Sequence, residues 1–364
     1  MKIKDISYIL ESEFPLALKE SYDNSGLLLG SKENEITGIL ISLDLTENVL
    51  NEAISKKCNL IINHHPIIFK GILNLTEHTE KNKILINAIK NDIAIYALHT
   101  NLDNSINGIN ALLAEKLSII NIKILKFLEN SLRKLVVYCP NENVESVRNS
   151  IFETGGGQIG NYDQCSFNTE GEGTFKANEN ANPYIGTINE LHFEKETKIE
   201  TIYPIFLEEN ILSSMIKAHP YEEVAYDIYP LKNSYKLAGS GIIGELEKKM
   251  TKSLFLKMCK TNIQSSFLKV SNPSIKQINK VAICSGSGNF LIKEAILQGA
   301  DAFITADLKY HDFQDYGDKI LLVDAGHYET ENCFKEIIFK FLTKKIHNFA
   351  IFISEQEINP VFYL

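Results

Sequence analysis

Short apolar runs alternate with amphipathic segments over the first third of the chain. The runs that predict strands are 36–45, 58–63 and 93–98, and the segments that predict helices are 47–57, 81–91 and 107–117. Nearly continuous apolar runs of this length are typical of strands that are buried on both faces. The alternation therefore predicts an α/β fold with a mostly parallel sheet covered by helices.

The last third of the chain repeats this order. Its predicted strands are 280–284, 301–305, 319–323 and 349–354, and its predicted helices are 290–298 and 333–345. The Ser-Gly-Ser-Gly sequence at 285–288 predicts a turn, which either offers backbone N–H groups to an anion or is a tight turn alone. The two ends of the chain thus predict two parts of one domain.

The middle of the chain has a different order of predicted strands and helices. Its predicted strands are 132–138, 161–168, 191–203 and 223–229, its predicted helices are 144–154 and 207–218, and 169–182 is predicted to be an exposed loop. The order β-α-β-β-α-β is typical of a ferredoxin-like α+β domain. We therefore predict an inserted domain at 131–236 between the two parts of a metal-binding domain, 1–130 and 237–364.

Composition narrows the class of protein. The 364 residues are 44% hydrophobic and 23% charged, and the net charge is −9. A net negative charge disfavours sequence-independent binding to nucleic acid, because such binding needs a basic surface. No apolar run approaches the length of a membrane span, and the six scattered cysteines are typical of reduced thiols. We expect a cytoplasmic protein that binds cations or small molecules.

Histidine and carboxylate side chains follow three of the predicted strands at the points where those strands end. His64 and His65 follow one strand, His99 and Asp103 follow the next, and His327 follows a third. The carboxyl ends of parallel strands form the edge at which α/β proteins bind ligands. Because imidazole and carboxylate groups hold transition metals, the sequence predicts one shared metal site at this edge.

The spacing of these residues favours two ions over one. Adjacent residues that leave a strand point in different directions, so His64 and His65 suit two neighbouring ions. Asp103 has two oxygens with which to bridge them. His327 and Glu331 are four residues apart at a predicted helix start, which places both on one face. The alternatives are a pair of loop histidines, a helix cap at Asp103 and an ordinary acidic helix terminus.

Three residues are candidates for catalytic roles. Asp307, Lys309 and His311 follow the predicted strand at 301–305 and could contact substrate or transfer protons, and Lys309 and His311 are the candidates for catalysis among them; the alternative is a solvated loop. His99 is a candidate for orienting a ligand or a substrate.

Several motifs resemble those of the Nif-three-like dinuclear metal-centre family, some members of which carry the name GTP cyclohydrolase I type 2. The matching motifs are ESYDNSGL at 20–27, NHHP at 63–66, HTNLD at 99–103, TAD at 305–307 and HYETE at 327–331. Tyr22 stands where the family usually has Trp, and Ala306 replaces a Gly. The inserted domain, with HPYEEVAYD at 219–227, resembles the PII/CutA-like domain of the longer bacterial members; the alternative is that Pro220 simply ends a helix before a strand.

The resemblance implies a ligand set and an assembly. It implies that two divalent ions, for which Zn, Fe, Mn or Co are suitable, are held by His64, His65, Asp103, His327 and Glu331. It also implies a toroidal homohexamer whose inserts close the ends of a central cavity.

Three functions follow as hypotheses. The first is a dinuclear metal-dependent hydrolase that acts on a small nucleotide or phosphoester, of the GTP cyclohydrolase type by resemblance. The second is a metal-binding regulatory or metal-handling assembly without turnover, which the PII/CutA-like insert favours. The third, a ring that encircles DNA, is suggested by the toroidal shape and disfavoured by the acidic charge.

Overall fold

The structure is a computed structural model that describes residues 1–362. The chain divides into two compact units. One unit is discontinuous and consists of Met1–Phe127 together with the chain from Lys236 onward, and the inserted unit is Leu128–Tyr235. Within the described range, no helix is both long and apolar enough to cross a membrane.

The discontinuous unit begins with ten elements of regular structure. They are α1 (Ile3–Glu13), β1 (Gly26–Leu29), β2 (Ile39–Ser42), α2 (Glu47–Ser55), β3 (Leu60–Asn63), α3 (Glu80–Lys90), β4 (Ala94–Ala97), α4 (Thr100–Asp103), α5 (Ile109–Lys116) and β5 (Ile119–Phe127). The inserted unit contains β6 (Leu132–Pro140), α6 (Val144–Glu153), β7 (Ser166–Lys176), β8 (Leu191–Pro204), α7 (Glu208–Ala218) and β9 (Tyr226–Leu231).

The discontinuous unit resumes after the insert. Its remaining elements are β10 (Gly239–Thr251), α8 (Lys252–Asn262), β11 (Lys269–Val270), β12 (Gln277–Ser287), α9 (Ile292–Leu297), β13 (Ala302–Ala306), α10 (Tyr310–Tyr316), β14 (Leu321–Asp324), α11 (His327–Glu331), α12 (Phe334–Lys345) and β15 (Ile351–Ile353). Short 3-10 turns occur at Leu16–Leu18, Asn141–Asn143, Ile205–Leu207 and Asn289–Leu291.

One sheet of the discontinuous unit has the strand order β1-β4-β3-β2-β15. Its strands β15, β2, β3 and β4 are parallel, and β1 is antiparallel at the edge. Successive residues of β2 enter different cores: Ile39 and Ile41 pack in one cluster and Leu40 in another. Both faces are thus buried, which explains why these strands are continuous apolar runs rather than alternating ones.

A second sheet of the same unit has the order β11-β14-β13-β12-β10-β5. Its central strands β12, β13 and β14 are parallel, whereas β5, β10 and β11 are antiparallel. The prediction of a helix-covered, mostly parallel α/β fold is confirmed. Strands β5 and β10 were not predicted, because polar residues interrupt β5 and polar residues and glycines interrupt β10, so that neither has a continuous apolar run.

The predicted turn at 285–288 is wrong in its position. Strand β12 continues to Ser287, and the pairing of β12 with β13 shifts register between Ile283 and Ser287. Gly286 lies in this irregular stretch with φ +58°, a conformation that glycine adopts at low cost. The glycines therefore serve a strand irregularity rather than a turn that opens a helix directly.

The inserted unit has an antiparallel sheet with the order β7-β8-β6-β9. Helices α6 and α7 pack on one face, where Val147 and Ile211 belong to the same core as Leu135 and Tyr203. The predicted loop at 169–182 is wrong over its first half, because β7 runs through Lys176 and pairs with β8 along its whole length. Residues 169–172 of this strand are exposed polar residues and glycine, so no apolar alternation signalled it.

Candidate metal centre

Strand ends of both sheets of the discontinuous unit bring four imidazoles together. His64 and His65 follow β3, His99 follows β4, and His327 begins α11 after β14. The ring centroids of His64 and His65 are 5.0 Å apart, those of His64 and His99 are 5.2 Å apart, and those of His65 and His327 are 5.4 Å apart. The three strand ends that the sequence singled out therefore meet at one place.

Two carboxylates complete this cluster. Glu331 Oε2 lies 3.0 Å from His65 Nε2 and 2.9 Å from His327 Nε2. Asp103 Oδ1, at the end of the short helix α4, lies 3.7 Å from His64 Nε2. Two overlapping groups, His64–His65–His99 and His65–His327–Glu331, each place their ligand atoms within 4.8 Å of one another. The cluster thus has the donor set and the compactness that transition metals require.

Gly286 makes room for one of these carboxylates. A Cβ atom at this position would overlap Glu331 Oε1 and would lie 3.4 Å from His327 Cε1. The backbone of β12 therefore lies so close to the cluster that no side chain fits between them at this position. A side chain at Gly286 would displace the Glu331 carboxylate.

Each imidazole of the cluster has an oxygen acceptor at Nδ1. The pairs are His64 with the Leu98 carbonyl at 2.7 Å, His65 with Asp44 at 2.8 Å, His99 with Asp23 at 2.7 Å and His327 with Asp307 at 2.7 Å. An acceptor at Nδ1 keeps the proton on that nitrogen and leaves Nε2 as the ligand atom. The four rings are thus oriented as metal-binding histidines are.

Sequence reasoning missed two of these orienting carboxylates and gave the third another role. Asp44 follows β2, the neighbour of β3 in the same sheet, so the rule that located the histidines also applies to it. Asp307 was considered only for substrate contact or proton transfer. Asp23 lies before β1, outside any parallel strand end, and only its motif pointed to it.

Asp23 is held in place by several donors. Its carboxylate accepts hydrogen bonds from Ser25 Oγ at 2.6 Å, Thr100 Oγ1 at 2.6 Å and Thr100 N at 3.1 Å. Burial alone would raise the pKa of Asp23, but the hydrogen bond and the charge of His99, with these hydroxyl donors, hold it well below the usual range. Asp23 is therefore a fixed anion behind His99.

The centre of the cluster contains acceptor atoms that have no donor. His64 Nε2 and Asp103 Oδ1 are buried and lack a hydrogen-bond partner within the described residues. The Leu98 carbonyl only accepts, so His64 Nδ1 carries a proton, and in the neutral ring Nε2 presents a lone pair. Leaving such an atom unpaired costs about 1–3 kcal/mol, and a cation placed between the two would remove that cost. The residues therefore fit a metal ion.

The pKa shifts of the cluster residues also favour a bound cation. Burial lowers the pKa of His65, but its hydrogen bonds to Asp44 and Glu331 outweigh burial and raise it to about 10. Burial also opposes the rise at His327, whose pKa reaches about 9 beside Glu331. Burial raises the pKa of Asp103, the carboxylate without a donor. Positive charge is thus favourable at this centre, and metal binding would displace protons from it.

The C-terminal segment supports one of the orienting carboxylates. The Glu357 side chain, which is 1% exposed, accepts hydrogen bonds from the backbone N–H groups of Leu43 at 3.1 Å and Asp44 at 2.7 Å. Lys335 Nζ lies 2.7 Å from the same carboxylate. Glu357 therefore fixes the backbone of the residue that orients His65.

Two cavities of the discontinuous unit adjoin the cluster. One, of about 220 Å³, is lined by His99, Asp103 and Glu331 and by the polar side chains of Asn104 and Ser240, and among the residues 1–362 no Lys or Arg lines it. The other, of about 290 Å³, adjoins His65 and His327 and includes Lys269. Lys269 Nζ lies 3.1 Å from Asp324 Oδ2, so its charge is already balanced.

Lys309 and His311 lie apart from these cavities. Both are exposed at the start of α10, and neither lines either cavity. His311 Nδ1 is 3.1 Å from Gln314 Oε1 of its own helix. Of the three residues predicted for catalysis, the structure brings only His99 into the cluster.

Comparisons with known proteins cover the whole chain. A family model described as Duf34/NIF3 (NGG1p interacting factor 3) matches residues 1–360. A Bacillus subtilis protein named GTP cyclohydrolase 1 type 2 homolog is 37% identical over 367 residues, covering 99% of this chain and 98% of that protein. A Halalkalibacterium halodurans protein of the same name is 38% identical, covering 98% and 97%.

A solved structure has the same fold. The crystal structure of a Bacillus cereus protein related to NIF3 matches with a TM-score of 0.85 and 35% identity, covering 100% of this chain and 99% of that one. The Staphylococcus aureus protein SA1388 matches with a TM-score of 0.77 and 31% identity, covering 100% and 99%.

Proposed function

The chain belongs to the Duf34/NIF3 family, and from that membership we propose that it is a metal-dependent hydrolase with a dinuclear centre. The observation that carries this proposal is the pair of buried acceptors, His64 Nε2 and Asp103 Oδ1, for which the described part of the chain supplies no donor. The substrate class that we propose is a small nucleotide or phosphoester. The name GTP cyclohydrolase 1 type 2 homolog, which the relatives carry, supports a nucleotide.

The ligands in this proposal are His64, His65, Asp103, His327 and Glu331. Such a mixed set of imidazoles and carboxylates suits Zn, Fe, Mn or Co. Two divalent ions side by side lower the pKa of water toward neutrality and stabilise developing negative charge. That chemistry is what a hydrolase of phosphoesters or of purine nucleotides needs.

The protein's own contribution is orientation and proton management. Asp44 and Asp307 hold the Nδ1 protons of His65 and His327 and so keep the Nε2 atoms directed to the centre. His99 lies beside the ligands with Asp23 behind it. We assign to His99 the transfer of a proton or the orientation of substrate, because a histidine paired with a fixed carboxylate holds and releases a proton at Nε2.

The test is metal content combined with turnover. The protein is purified anaerobically without added metal, metal per chain is measured, and nucleotides and phosphoesters are screened with the native-metal form. We expect about two ions per chain and turnover that His65→Ala abolishes, with His347→Ala, an exposed histidine outside the cluster, as the matched control. Unchanged turnover in purified His65→Ala protein would contradict the proposal, and so would a protein that binds no metal.

A second candidate is a metal-binding or metal-handling assembly without turnover. The lining of the 220 Å³ cavity favours it, because no Lys or Arg side chain among the described residues lies there to pair with a phosphate group. About two ions per chain without turnover on any screened substrate would favour this candidate. For either function we propose the homohexamer that the family resemblance implies, which sedimentation equilibrium tests.

A further inference from the structure

The inserted unit has a cavity of its own, of about 700 Å³. Four aromatic residues line it. Three of them lie close together, namely Phe175 from β7, Tyr184 from the loop after β7 and Tyr221 from the segment after α7, and the fourth is Tyr138 of β6. The Tyr221 ring centroid lies 6.0 Å from that of Phe175 and 6.2 Å from that of Tyr184, and the ring planes are tilted by 59° and 50°. The rings therefore face a common space instead of stacking flat on one another.

A carboxylate lies among these rings. Glu196 of β8 lines the cavity, and its Oε1 accepts a hydrogen bond from the Tyr221 hydroxyl at 2.9 Å. A Cβ atom at Gly173 would overlap Glu196 Oε2, so the glycine leaves the space that this carboxylate occupies. Burial, followed by this hydrogen bond, raises the pKa of Tyr221, which keeps its hydroxyl a donor.

The lining is acidic. Glu196, Glu222 and Glu223 line the cavity and Lys176 is the cation among its lining residues, so three negative charges stand against one positive charge. Such a lining disfavours a phosphate or another anion. The volume lies within the range of about 300–1,000 Å³ that is typical of small-molecule sites.

His219, which lies next to Tyr221, does not offer a free nitrogen to a metal ion. His219 Nε2 lies 2.9 Å from the Tyr138 carbonyl, and His219 Nδ1 accepts a hydrogen bond from Tyr221 N at 3.1 Å. Carbonyl and amide partners therefore use both nitrogens of this ring. Its contribution is to hold the chain at Tyr221, whose ring centroid lies 5.1 Å from that of His219.

We propose that the inserted unit binds a small organic ammonium cation in this cavity, among the rings of Phe175, Tyr184 and Tyr221 and beside the Glu196 carboxylate. The faces of aromatic rings carry negative potential and attract a cation within about 6 Å. The carboxylate adds a full negative charge to that field. This site is separate from the metal cluster and does not depend on the hydrolase proposal.

The test uses the full-length protein and choline as the probe. Isothermal titration with choline is compared with titration of its uncharged isostere 3,3-dimethylbutan-1-ol, which has the same shape without the charge. We expect saturable binding of choline and at least tenfold weaker binding of the isostere, since the attraction of a desolvated cation to the rings is of that order. Equal binding of the two compounds would overturn the proposal, as would the absence of saturable choline binding.

Variants separate the cation site from general misfolding. Tyr221→Leu removes the central ring and Glu196→Gln removes the charge, and each is expected to weaken choline binding about tenfold. Tyr221→Phe keeps the ring and should bind choline within a few fold of the native protein. Tyr162→Leu, an exposed tyrosine outside the cavity, is the matched control. Native affinity for choline in folded Tyr221→Leu protein would overturn the proposal. So would a native protein that binds no choline while Tyr221→Leu or Glu196→Gln changes its sedimenting mass, because a second copy of the chain would then cover the cavity.

Discussion

Both units place histidines beside carboxylates, but the partners of the rings differ. In the inserted unit, His192 Nε2 lies 2.9 Å from Glu194, and both nitrogens of His219 have backbone partners. In the discontinuous unit, His64 Nε2 faces Asp103 Oδ1 at 3.7 Å and neither atom has a donor. These two are the buried histidine and carboxylate atoms that lack a partner within the described residues.

The difference shows what distinguishes a metal site from a structural histidine. Proximity of His and Glu is common to both units and decides nothing, because a hydrogen bond satisfies such a pair. Buried acceptors that face each other without a donor are costly unless a cation lies between them. The four rings of the discontinuous unit are also oriented in the same way, by an oxygen acceptor at Nδ1. His219 has no such acceptor, because its Nδ1 accepts a hydrogen bond from the Tyr221 backbone N–H.

The largest effect is expected from Asp103→Asn. An amide keeps the shape and removes the charge that a metal needs, so we expect metal affinity to fall by more than about 100-fold. Burial raises the pKa of Asp103, which means that its charge is unfavourable in the metal-free protein. The free energy of unfolding of the metal-free variant should therefore fall by no more than about 1 kcal/mol, or rise. Urea titration measures the free energy of unfolding, and metal analysis measures the metal content. A variant that loses much stability but keeps its full metal content would contradict the assignment of Asp103 as a metal ligand.

Asp44→Asn should have the next largest effect. It removes the carboxylate that holds the His65 proton, and loss of such a partner typically lowers metal affinity about 10- to 100-fold. Glu194→Gln, which changes the carboxylate beside His192 in the inserted unit, is the matched control and should leave metal affinity unchanged. Competition with a chelator of known affinity measures the metal affinity of both variants. Equal losses of affinity in the two variants would contradict the difference between the units.

Glu52→Gln tests a buried carboxylate whose partners are donors. Glu52 accepts hydrogen bonds from Lys56 at 2.6 Å, Ser354 at 2.5 Å and the backbone N–H of Glu355 at 3.1 Å. Burial raises its pKa, but these bonds outweigh burial and lower it below the usual 4.5. We expect the substitution to cost about 1–3 kcal/mol in the free energy of unfolding.

The same carboxylate predicts a dependence on pH. Because the pKa of folded Glu52 is lower than in the unfolded chain, its contribution is fully present above about pH 4.5 and is lost as the pH falls through the folded pKa. The native protein should therefore lose more stability on acidification than Glu52→Gln. Urea titrations of both proteins on either side of pH 4.5 check this, and parallel curves would show that the hydrogen bonds contribute nothing.

The smallest effects are expected at Lys309 and His311. Both are exposed and outside the cavities beside the cluster, so Lys309→Ala and His311→Ala should change stability by less than about 0.5 kcal/mol and leave metal content unchanged. Their catalytic role is a prediction from the sequence alone. A turnover assay decides it: a loss above tenfold in His311→Ala would place this residue in the reaction.

The sequence predicted the parts of the molecule that carry a periodic signal. Strands β2, β3 and β4 are buried on both faces, so their apolar runs stood out, and their ends located His64, His65 and His99. The part of β7 after residue 168 gave no apolar signal, because residues 169–172 are exposed polar residues and glycine, and pairing with β8 specifies it instead.

Distant partners were beyond single-sequence reasoning. Asp23 meets His99 from 76 positions away, and Glu357 meets Asp44 from 313 positions away. Such contacts depend on how strands and loops pack, which no local pattern specifies. The cavity of the inserted unit is a further example, since Phe175, Glu196 and Tyr221 come from three separate segments.

We expect the imidazole–carboxylate cluster to hold divalent metal. The most direct measurement is an anomalous difference map from crystals of protein purified anaerobically without added metal, recorded at the absorption edge of whichever metal copurifies. We expect anomalous density within about 2–2.5 Å of His64 Nε2 and Asp103 Oδ1, with a second peak beside His327 and Glu331. Metal found only elsewhere, or a cluster that holds only water, would contradict it.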